Sequence, residues 1–247
     1  MKQVAEEKLV NFFAGKDIFS RRDLFDFFVQ SEADLKEGTL GWRIYDLKKK
    51  SILHEVKRGW YTLNVKPTYM PGIDHKVKRL ASIFNKNYRD SKYCLWDINW
   101  LNDFTVHQFS QQMFLFETEK DLQESLAYTL NDSGYHVVWS LKGTHLSVFD
   151  ETIIILPLIT RAPIQDIKAG ESIISVPTLE KMLVDIYQEN KVFHFVQGAE
   201  MERIFENALS RYAINYTTLF GYAKRRGKEN DLRNFISAHF PDKLKNI

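Results

Sequence analysis

The stretch Thr39-Leu-Gly-Trp-Arg-Ile-Tyr-Asp-Leu-Lys-Lys-Lys50 predicts an amphipathic helix, with Thr39 as the residue that caps its start. Leu40, Ile44 and Leu47 are spaced at i, i+4 and i+7, which places them on one apolar stripe. Trp42, Tyr45, Asp46 and Lys49 face the opposite way, with Arg43 and Lys50 on one flank of this outer face and Lys48 on the other. A helix that presents aromatic and basic side chains outward suits the major groove of duplex DNA.

The segments on both sides of this helix complete a known order of elements. Downstream, residues 52–63 contain two β-prone runs around Lys57-Arg58-Gly59, where glycine supplies a turn position with positive φ. Upstream, Ser20-Arg-Arg-Asp23 has the spacing of a capping box and predicts a short helix from Arg21 to Val29. A helix, a second helix and then a hairpin with a basic tip predict a winged helix-turn-helix.

The charge distribution agrees with a DNA-binding role for this region. Residues 36–66 contain eight Lys or Arg and three Asp or Glu, a net charge of +5, whereas residues 1–35 have a net charge of −2. The predicted DNA contacts are Arg21, Arg22, Thr39, Trp42, Arg43, Lys48, Lys49, Lys50, Lys57 and Arg58. A protein-interaction module without DNA affinity, whose basic face is merely solvated, stays open as an alternative.

The composition of the whole chain is that of an ordinary globular protein. The 247 residues are 44% hydrophobic and 27% charged, and they suffice for two domains. The single cysteine, Cys94, excludes an internal disulfide and a multi-cysteine zinc site. No apolar run approaches the roughly 20 residues that a membrane span needs, and the N-terminus has no signal-peptide pattern. We therefore expect a cytoplasmic protein with no membrane partner.

The chain divides into three predicted parts. Residues 1–66 are the winged helix, and residues 75–247 form a second domain. Residues 67–74 between them contain two prolines and one glycine and are predicted to be a linker. In the second domain, strands and helices alternate before a helical C-terminal part, which predicts an α/β (α+β) fold. One of these helices is predicted from Trp100 to Gln108, and another is predicted to begin with Pro177 and to run to Gln188.

The second domain offers few candidates for catalysis. Glu117-Thr-Glu119 superficially resembles the carboxylate pair of a metal-dependent nucleotidyltransferase, but no Gly-Ser turn that could hold a phosphate precedes it. Thr118 is predicted to cap a helix instead, which would turn Glu119 away from Glu117. We therefore predict no catalytic residue, metal site or cofactor, and a divergent nucleotidyltransferase that uses Glu117 and Glu119 is kept as an alternative.

A second basic patch lies near the C-terminus. It comprises Lys224, Arg225, Arg226 and Lys228. Positive charge is favourable at the end of a helix that a glycine caps, and this accounts for the cluster without any ligand. A second contact with nucleic acid is the other interpretation.

Several segments together resemble one protein family. The hairpin Lys57-Arg-Gly-Trp-Tyr61 is similar to that of the N-terminal winged helix of AbiEi-type antitoxins, from abortive-infection, type IV toxin–antitoxin systems. The second half resembles the same family in Trp96-Asp-Ile-Asn-Trp-Leu101, His107-Gln108, residues 177–185 and Tyr222-Ala-Lys-Arg-Arg-Gly227. The resemblance implies a nucleotidyltransferase-like fold without an evident active site. It also implies a repressor that binds its own promoter DNA and counteracts a co-encoded nucleotidyltransferase-like toxin.

Overall fold

The computed structural model describes residues 2–14, 16, 18–50, 52–63, 66–106, 108–109, 112–139 and 151–241. The helices are α1 Lys2–Phe13, α2 Arg21–Val29, α3 Glu37–Lys49, α4 His75–Asn87, α5 Gln123–Asp132, α6 Leu179–Gln188, α7 Ala199–Arg211, α8 Tyr216–Arg225 and α9 Glu229–His239. The strands are β1 Phe19–Ser20, β2 His54–Lys57, β3 Trp60–Thr62, β4 Tyr93–Asp97, β5 Met113–Thr118, β6 His136–Trp139, β7 Thr152–Pro157, β8 Ile164–Ala169 and β9 Ser172–Pro177. The protein is thus a mixed α/β protein, as the alternation of elements predicts.

The strands form three sheets. An antiparallel sheet with the order β1-β3-β2 contains the hairpin that follows α3. A four-stranded sheet has the order β4-β5-β7-β6, in which β4 is antiparallel to β5 while β5, β7 and β6 are parallel. The third sheet is the β8–β9 hairpin. Every residue of the inner strand β5 is buried, as expected for a strand with parallel pairing that is covered on both faces.

Buried apolar side chains form two clusters. The smaller one joins α1, α2, α3 and the first sheet through Leu9, Phe13, Phe19, Leu24, Phe28, Leu35, Leu40, Ile44, Leu47, Leu53 and Tyr61. The larger one holds together the four-stranded sheet, the β8–β9 hairpin and the helices from α4 onward. Val56 of β2 belongs to the larger cluster, so the first hairpin contributes to both.

A capping hydrogen bond explains where α2 begins, whereas α3 begins without one. The capping box predicted at Ser20 is present, because its hydroxyl accepts from the Asp23 N–H at 3.1 Å while its own N–H donates to the Asp23 carboxylate at 2.6 Å. The prediction that Thr39 caps α3 is wrong. The cap residue is Lys36, and Glu37 occupies the first turn, where a carboxylate is favourable at the positive end of the helix dipole.

Three predictions for the second half are also corrected. Residues 164–177 form an antiparallel hairpin that was not predicted; Pro177 is the last residue of β9, and the Thr178 hydroxyl caps α6. The helix expected from Trp100 to Gln108 is a 3-10 turn at Ile98–Asp103. Thr118 ends β5 instead of capping a helix, because its hydroxyl donates to the Lys92 carbonyl at 3.1 Å.

The segment predicted as a linker, residues 67–74, contains neither helix nor strand and runs along the larger cluster. Tyr69 is buried, and its hydroxyl donates to the Asp103 carboxylate at 3.0 Å. The Pro67 carbonyl accepts from the Ala213 N–H at 3.1 Å. The segment is therefore anchored along its length, and the division into domains at this point stays a prediction. Among the helices of the described ranges, none has the length and apolar character needed to traverse a bilayer.

Candidate nucleic-acid interface

The outer face of α3 carries two aromatic side chains in contact with each other. Trp42 is 73% exposed and Tyr45 is 59% exposed, although both are large and largely apolar. Their ring centroids lie 5.7 Å apart in a T-shaped arrangement, which aromatic pairs prefer. Leu40, Ile44 and Leu47 are buried on the opposite side, as the spacing predicts. The helix therefore displays an aromatic pair that the described part of the chain leaves exposed.

Most cations around this face form ion pairs, which the sequence did not predict. The pairs are Arg21 with Glu37 at 2.8 Å, Arg43 with Glu32, Lys48 with Glu55 at 2.5 Å, and Lys50 with Glu6 at 2.5 Å and Asp46 at 2.8 Å. The hydrogen bond that Arg21 donates to Glu37 raises the pKa of Arg21, and the hydrogen bonds that Lys50 donates to Asp46 and Glu6 raise the pKa of Lys50. All four basic side chains keep a third or more of their surface exposed, so water and salt screen these pairs.

Three predicted contact residues remain available to an external anion. Arg22, Lys49 and Arg58 are exposed and form no ion pair with any other described residue. Thr39 is exposed on α3. Lys57 is half-buried and places its ammonium group 4.8 Å from the centre of the Trp60 ring. The cationic character of this surface therefore rests on fewer residues than the net charge of +5 suggests.

The tip of the β2–β3 hairpin is fixed to two helices. Gly59 has a φ of +77°, as predicted for the turn, and its N–H donates to the Glu55 carboxylate at 3.2 Å. The Arg21 N–H donates to the Gly59 carbonyl at 2.8 Å, and the Arg58 N–H donates to the Thr217 hydroxyl of α8 at 3.4 Å. Because the Arg21 side chain also binds Glu37, the hairpin tip and the starts of α2 and α3 converge.

A cavity of about 560 Å³ lies behind this hairpin. It is lined by His54, Glu55 and Val56 of β2 and by residues 209–210 and 212–216 around the end of α7 and the start of α8. On its far side, the Glu180 carboxylate accepts from the Asn215 N–H at 2.8 Å. None of the predicted DNA contacts lines this cavity, so it is separate from the face of α3.

The structure divides the predicted C-terminal basic patch. Lys224 and Arg225 are exposed, and the Arg225 guanidinium donates to the Arg161 carbonyl at 2.8 Å. Lys228 pairs with Asp231 at 2.8 Å. Including Arg226 in the surface patch is wrong, because only 11% of its side chain is exposed and it pairs with carboxylates in the interior. Its position at the end of α8 explains this, since the chain turns there.

The glycine cap proposed for this helix end is present. Gly227 has a φ of +70°, and its N–H donates to the Lys224 carbonyl at 3.0 Å. The Lys228 N–H donates to the Ala223 carbonyl at 2.8 Å, which completes a Schellman motif. The cap directs Arg226 inward, toward α6.

Arg226 belongs to a buried ionic cluster between β5, α6 and α8. The Lys181 side chain is fully buried, and its ammonium group contacts the Glu117 carboxylate at 2.5 Å and the Asp185 carboxylate. The Tyr222 hydroxyl donates to Asp185 at 2.9 Å. The Arg226 guanidinium lies 3.3 Å from Asp185 and also pairs with Glu189. Three carboxylates thus share two cations, a formal net charge of −1.

Burial changes the protonation equilibria within this cluster. It raises the pKa of Glu117 to about 7, even though Lys181 opposes the shift. Burial lowers the pKa of Lys181, but the carboxylates of Asp185 and Glu117 outweigh it and raise that pKa well above its usual range. Oε2 of Glu117 has no hydrogen-bond partner in the described residues, and Glu117 is among the residues that line a cavity of about 40 Å³, large enough for a water molecule.

Glu117 and Glu119 have different environments. Glu117 is held in the core by Lys181, whereas Glu119 follows the end of β5 and is exposed. Within the described ranges, no three His, Cys, Asp or Glu side chains are grouped so that they could hold a metal ion. The acidic pair considered for nucleotidyl transfer is therefore not arranged to converge on one ion.

The buried cluster was not predicted from the sequence, although the sequence of α6 contains one signal for it. Residues 179–186 are buried without interruption, including Glu180, Lys181 and Asp185, on a helix whose other residues there are all apolar. Lysine and aspartate are almost never fully buried unless they are paired. Lys181 and Asp185 at i and i+4 on such a helix therefore indicate an internal ion pair, although its partner Glu117 lies 64 residues away.

Comparison with known proteins gives a family but no described function. No curated protein matches the chain. Residues 39–242 match the model of a family of unknown function, DUF6577. The match begins within α3 and includes the β2–β3 hairpin and almost all of the larger cluster. Because the matched region is most of the chain, the protein belongs to the DUF6577 family.

Proposed function

We propose that α1, α2, α3 and the β1-β3-β2 sheet form a winged helix-turn-helix that binds duplex DNA. The observation that carries this proposal is the exposed pair Trp42 and Tyr45 on the outer face of α3, near Arg22, Lys49 and Arg58, which form no ion pair with a described residue. In this arrangement α3 enters the major groove and the β2–β3 hairpin lies along the phosphate backbone. Arg22 and Arg58 then lie near the N-terminal end of α3. The Arg21 N–H donates to the Gly59 carbonyl, and the Arg21 side chain binds Glu37 in the first turn of α3.

The ion pairs around α3 are compatible with DNA binding but are expected to lower the affinity for DNA. An exposed pair contributes about 0–1 kcal/mol, so a phosphate can replace the carboxylate at little cost. Each of these carboxylates nevertheless competes with a DNA phosphate for the same basic side chain. Arg22, Lys49 and Arg58 are free of such competition from the described residues and should supply most of the phosphate contacts.

We further propose that this protein is an antitoxin that represses its own operon. The proposal rests on the resemblance of the hairpin and the second half to AbiEi-type antitoxins. In it, the DNA is the promoter upstream of the gene, and the second domain counteracts a co-encoded nucleotidyltransferase-like toxin. The family resemblance implies a nucleotidyltransferase-like fold without an evident active site. The ion pair between Glu117 and Lys181 supports the second part of this expectation, because it occupies the carboxylate that a metal ion would need.

The test is binding of the full chain to duplexes that tile the region upstream of its gene. Gel shifts should reveal one preferred duplex, whose affinity decreases as salt increases. Lys57→Ala and Arg58→Ala should weaken binding to preferred and random duplexes alike, because a hairpin tip mainly contacts the backbone. Trp42→Ala and Arg43→Ala should instead narrow the difference between preferred and random DNA. Absence of binding at low salt would refute the repressor proposal.

The ion pairs favour a second candidate, a winged helix that binds a protein. Arg21, Arg43, Lys48 and Lys50 are all occupied by carboxylates, whereas Trp42 and Tyr45 are open. Exposed aromatic side chains are enriched in protein interfaces. If the purified chain binds no duplex but forms a complex with the product of the adjacent gene that Trp42→Ala abolishes, this candidate replaces DNA binding.

A further inference from the structure

The side chains that usually read base edges are scarce on α3. Sequence-specific helices often use arginine or lysine on guanine, or asparagine and glutamine on adenine. α3 contains no asparagine or glutamine, and its one arginine, Arg43, is held by Glu32 with its guanidinium 4.7 Å from the centre of the Phe28 ring. Of its two lysines, Lys48 pairs with Glu55, so hydrogen bonding to guanine along this helix is left mainly to Lys49.

The exposed face of α3 centres on two aromatic side chains, with Lys49 and the half-buried Asp46 beside them. Gly38, Gly41, Trp42, Tyr45 and Lys49 lie on one side of the helix, opposite the buried stripe. Trp42 and Tyr45 touch each other, so each limits the motion of the other, and more than half of each side chain stays exposed. The two rings in contact form a continuous apolar surface.

The two glycines add to this surface by leaving space around it. A Cβ atom at Gly38 would meet nothing within 4 Å, and one at Gly41 would only approach the Arg21 guanidinium at 4.0 Å. Packing therefore requires glycine at neither position, although glycine is unfavourable inside a helix. Without side chains there, the N-terminal half of α3 is slender and the Trp42 ring is accessible from that end.

We infer that Trp42 and Tyr45 recognise the 5-methyl groups of thymines in the major groove, so that the preferred DNA is defined mainly by thymine. The inference rests on the proposed DNA binding and adds the chemical group that is recognised. The thymine methyl is the apolar group that the major groove displays, and it is absent from the other three bases. The exposed cations Arg22, Lys49 and Arg58 match the charge of the phosphates on either side.

The test replaces thymine with deoxyuridine, which removes only the methyl group. The duplex that binds the full chain most tightly is selected from a random-sequence library. It is then prepared in two forms, one with thymine and one in which deoxyuridine replaces every thymine. Burying one methyl group strengthens binding about fourfold, so the loss of two contacts should weaken it about fifteenfold. Fluorescence anisotropy measures both affinities under one salt condition.

Matched variants assign this loss to the two rings. In a Trp42→Ala/Tyr45→Ala double variant the thymine and deoxyuridine duplexes should bind equally well, whereas in Lys49→Ala both should weaken by the same factor and keep their ratio. All three side chains are exposed, and circular dichroism verifies that each variant is folded. Equal affinity of the wild type for both duplexes overturns the inference while DNA binding stands. No binding to any duplex overturns the proposed function and the inference with it.

Discussion

Two groups of ion pairs in this protein contrast with each other, one on the surface around α3 and one in the core between β5, α6 and α8. At the surface, Arg43 and Lys48 each bind a carboxylate while about a third or more of their side chains stays in water. In the core, Lys181 has no exposed surface and binds two carboxylates, one of which also accepts from Tyr222. Pairs of a basic side chain with a carboxylate are therefore exposed to water in one region and excluded from it in the other.

The difference determines which charges can bind a ligand. An exposed pair contributes about 0–1 kcal/mol and can open when a phosphate approaches. Breaking a buried pair by removing one partner costs about 3–5 kcal/mol, because the remaining charge has lost its solvation. The surface around α3 can thus exchange its partners, whereas the cluster around Lys181 serves to hold β5, α6 and α8 together.

The largest expected effect is that of Lys181→Met. The substitution keeps the volume of the side chain but leaves Glu117 and Asp185 in the core without their shared cation. The free energy of unfolding, measured by urea denaturation at neutral pH, should decrease by about 3–5 kcal/mol. The control is Lys48→Met, which removes the exposed pair with Glu55 and should cost about 1 kcal/mol or less. Equal losses in the two variants would contradict the comparison.

A second prediction concerns the pH dependence that Glu117 adds. Burial raises its pKa from 4.5 to about 7, so between these values the folded state keeps a proton that the unfolded state releases. The stabilisation is complete below pH 4.5 and is lost as the pH rises through 7, with a slope of at most about 1.4 kcal/mol per pH unit. Denaturation at a series of pH values should show this decrease in the wild type and a flatter profile in Glu117→Gln.

Comparison of the two proteins isolates the contribution of Glu117. Asp97, whose pKa burial raises to about 6, contributes a decrease of the same sign but is present in both. A profile for Glu117→Gln that runs parallel to the wild type between pH 5 and pH 7 would show that Glu117 titrates as an ordinary carboxylate.

A smaller effect is expected at the tip of the β2–β3 hairpin. Gly59→Val should cost about 1–2 kcal/mol, because Gly59 has a φ of +77°, a backbone conformation that β-branched residues avoid. DNA binding should weaken as well, since Arg58 is placed by this turn. Gly38→Val is the control, because Gly38 lies in a helix with open space around it and should tolerate the change. Thermal denaturation compares the two variants.

The smallest change in stability is expected for Glu32→Gln, which releases Arg43 from its surface pair. The free energy of unfolding should change by about 1 kcal/mol or less. If the released guanidinium then contacts a phosphate, the slope of log affinity against log salt should become steeper by about 0.9. Glu229→Gln, which releases Arg233 on α9, is the matched control and should leave DNA binding unchanged. The same slope in both variants would place the DNA away from Arg43.

Local rules allowed much of the fold to be predicted from the sequence. The capping box at Ser20 gave the start of α2, the spacing of Leu40, Ile44 and Leu47 gave the buried side of α3, and the glycine at position 59 gave a turn with positive φ. Each of these depends on residues within a few positions of one another. The β8–β9 hairpin also has a local signal, because Gly170 lies at its turn with a positive φ. The hairpin was nevertheless not predicted.

Features that depend on distant contacts could not be predicted in the same way. The acids that pair with Arg43 and Lys50 include Glu32 and Glu6, which lie outside the basic stretch, so the net charge of residues 36–66 overstated the free positive charge. Arg226 looked like a surface residue among other cations until its contacts with Asp185 and Glu189 were known. Charge counted along the chain does not indicate which charges share a site.

The most direct test of the central claim is the salt dependence of DNA binding by the full chain. Fluorescence anisotropy with the preferred upstream duplex gives the affinity over a range of salt concentrations for the wild type and for Arg22→Ala, Lys49→Ala and Arg58→Ala. We predict tight binding at low salt, and a slope of log affinity against log salt that becomes shallower by about 0.9 in each variant. Binding that is absent at low salt, or a slope that none of the three substitutions changes, would contradict DNA binding by the α3–hairpin face.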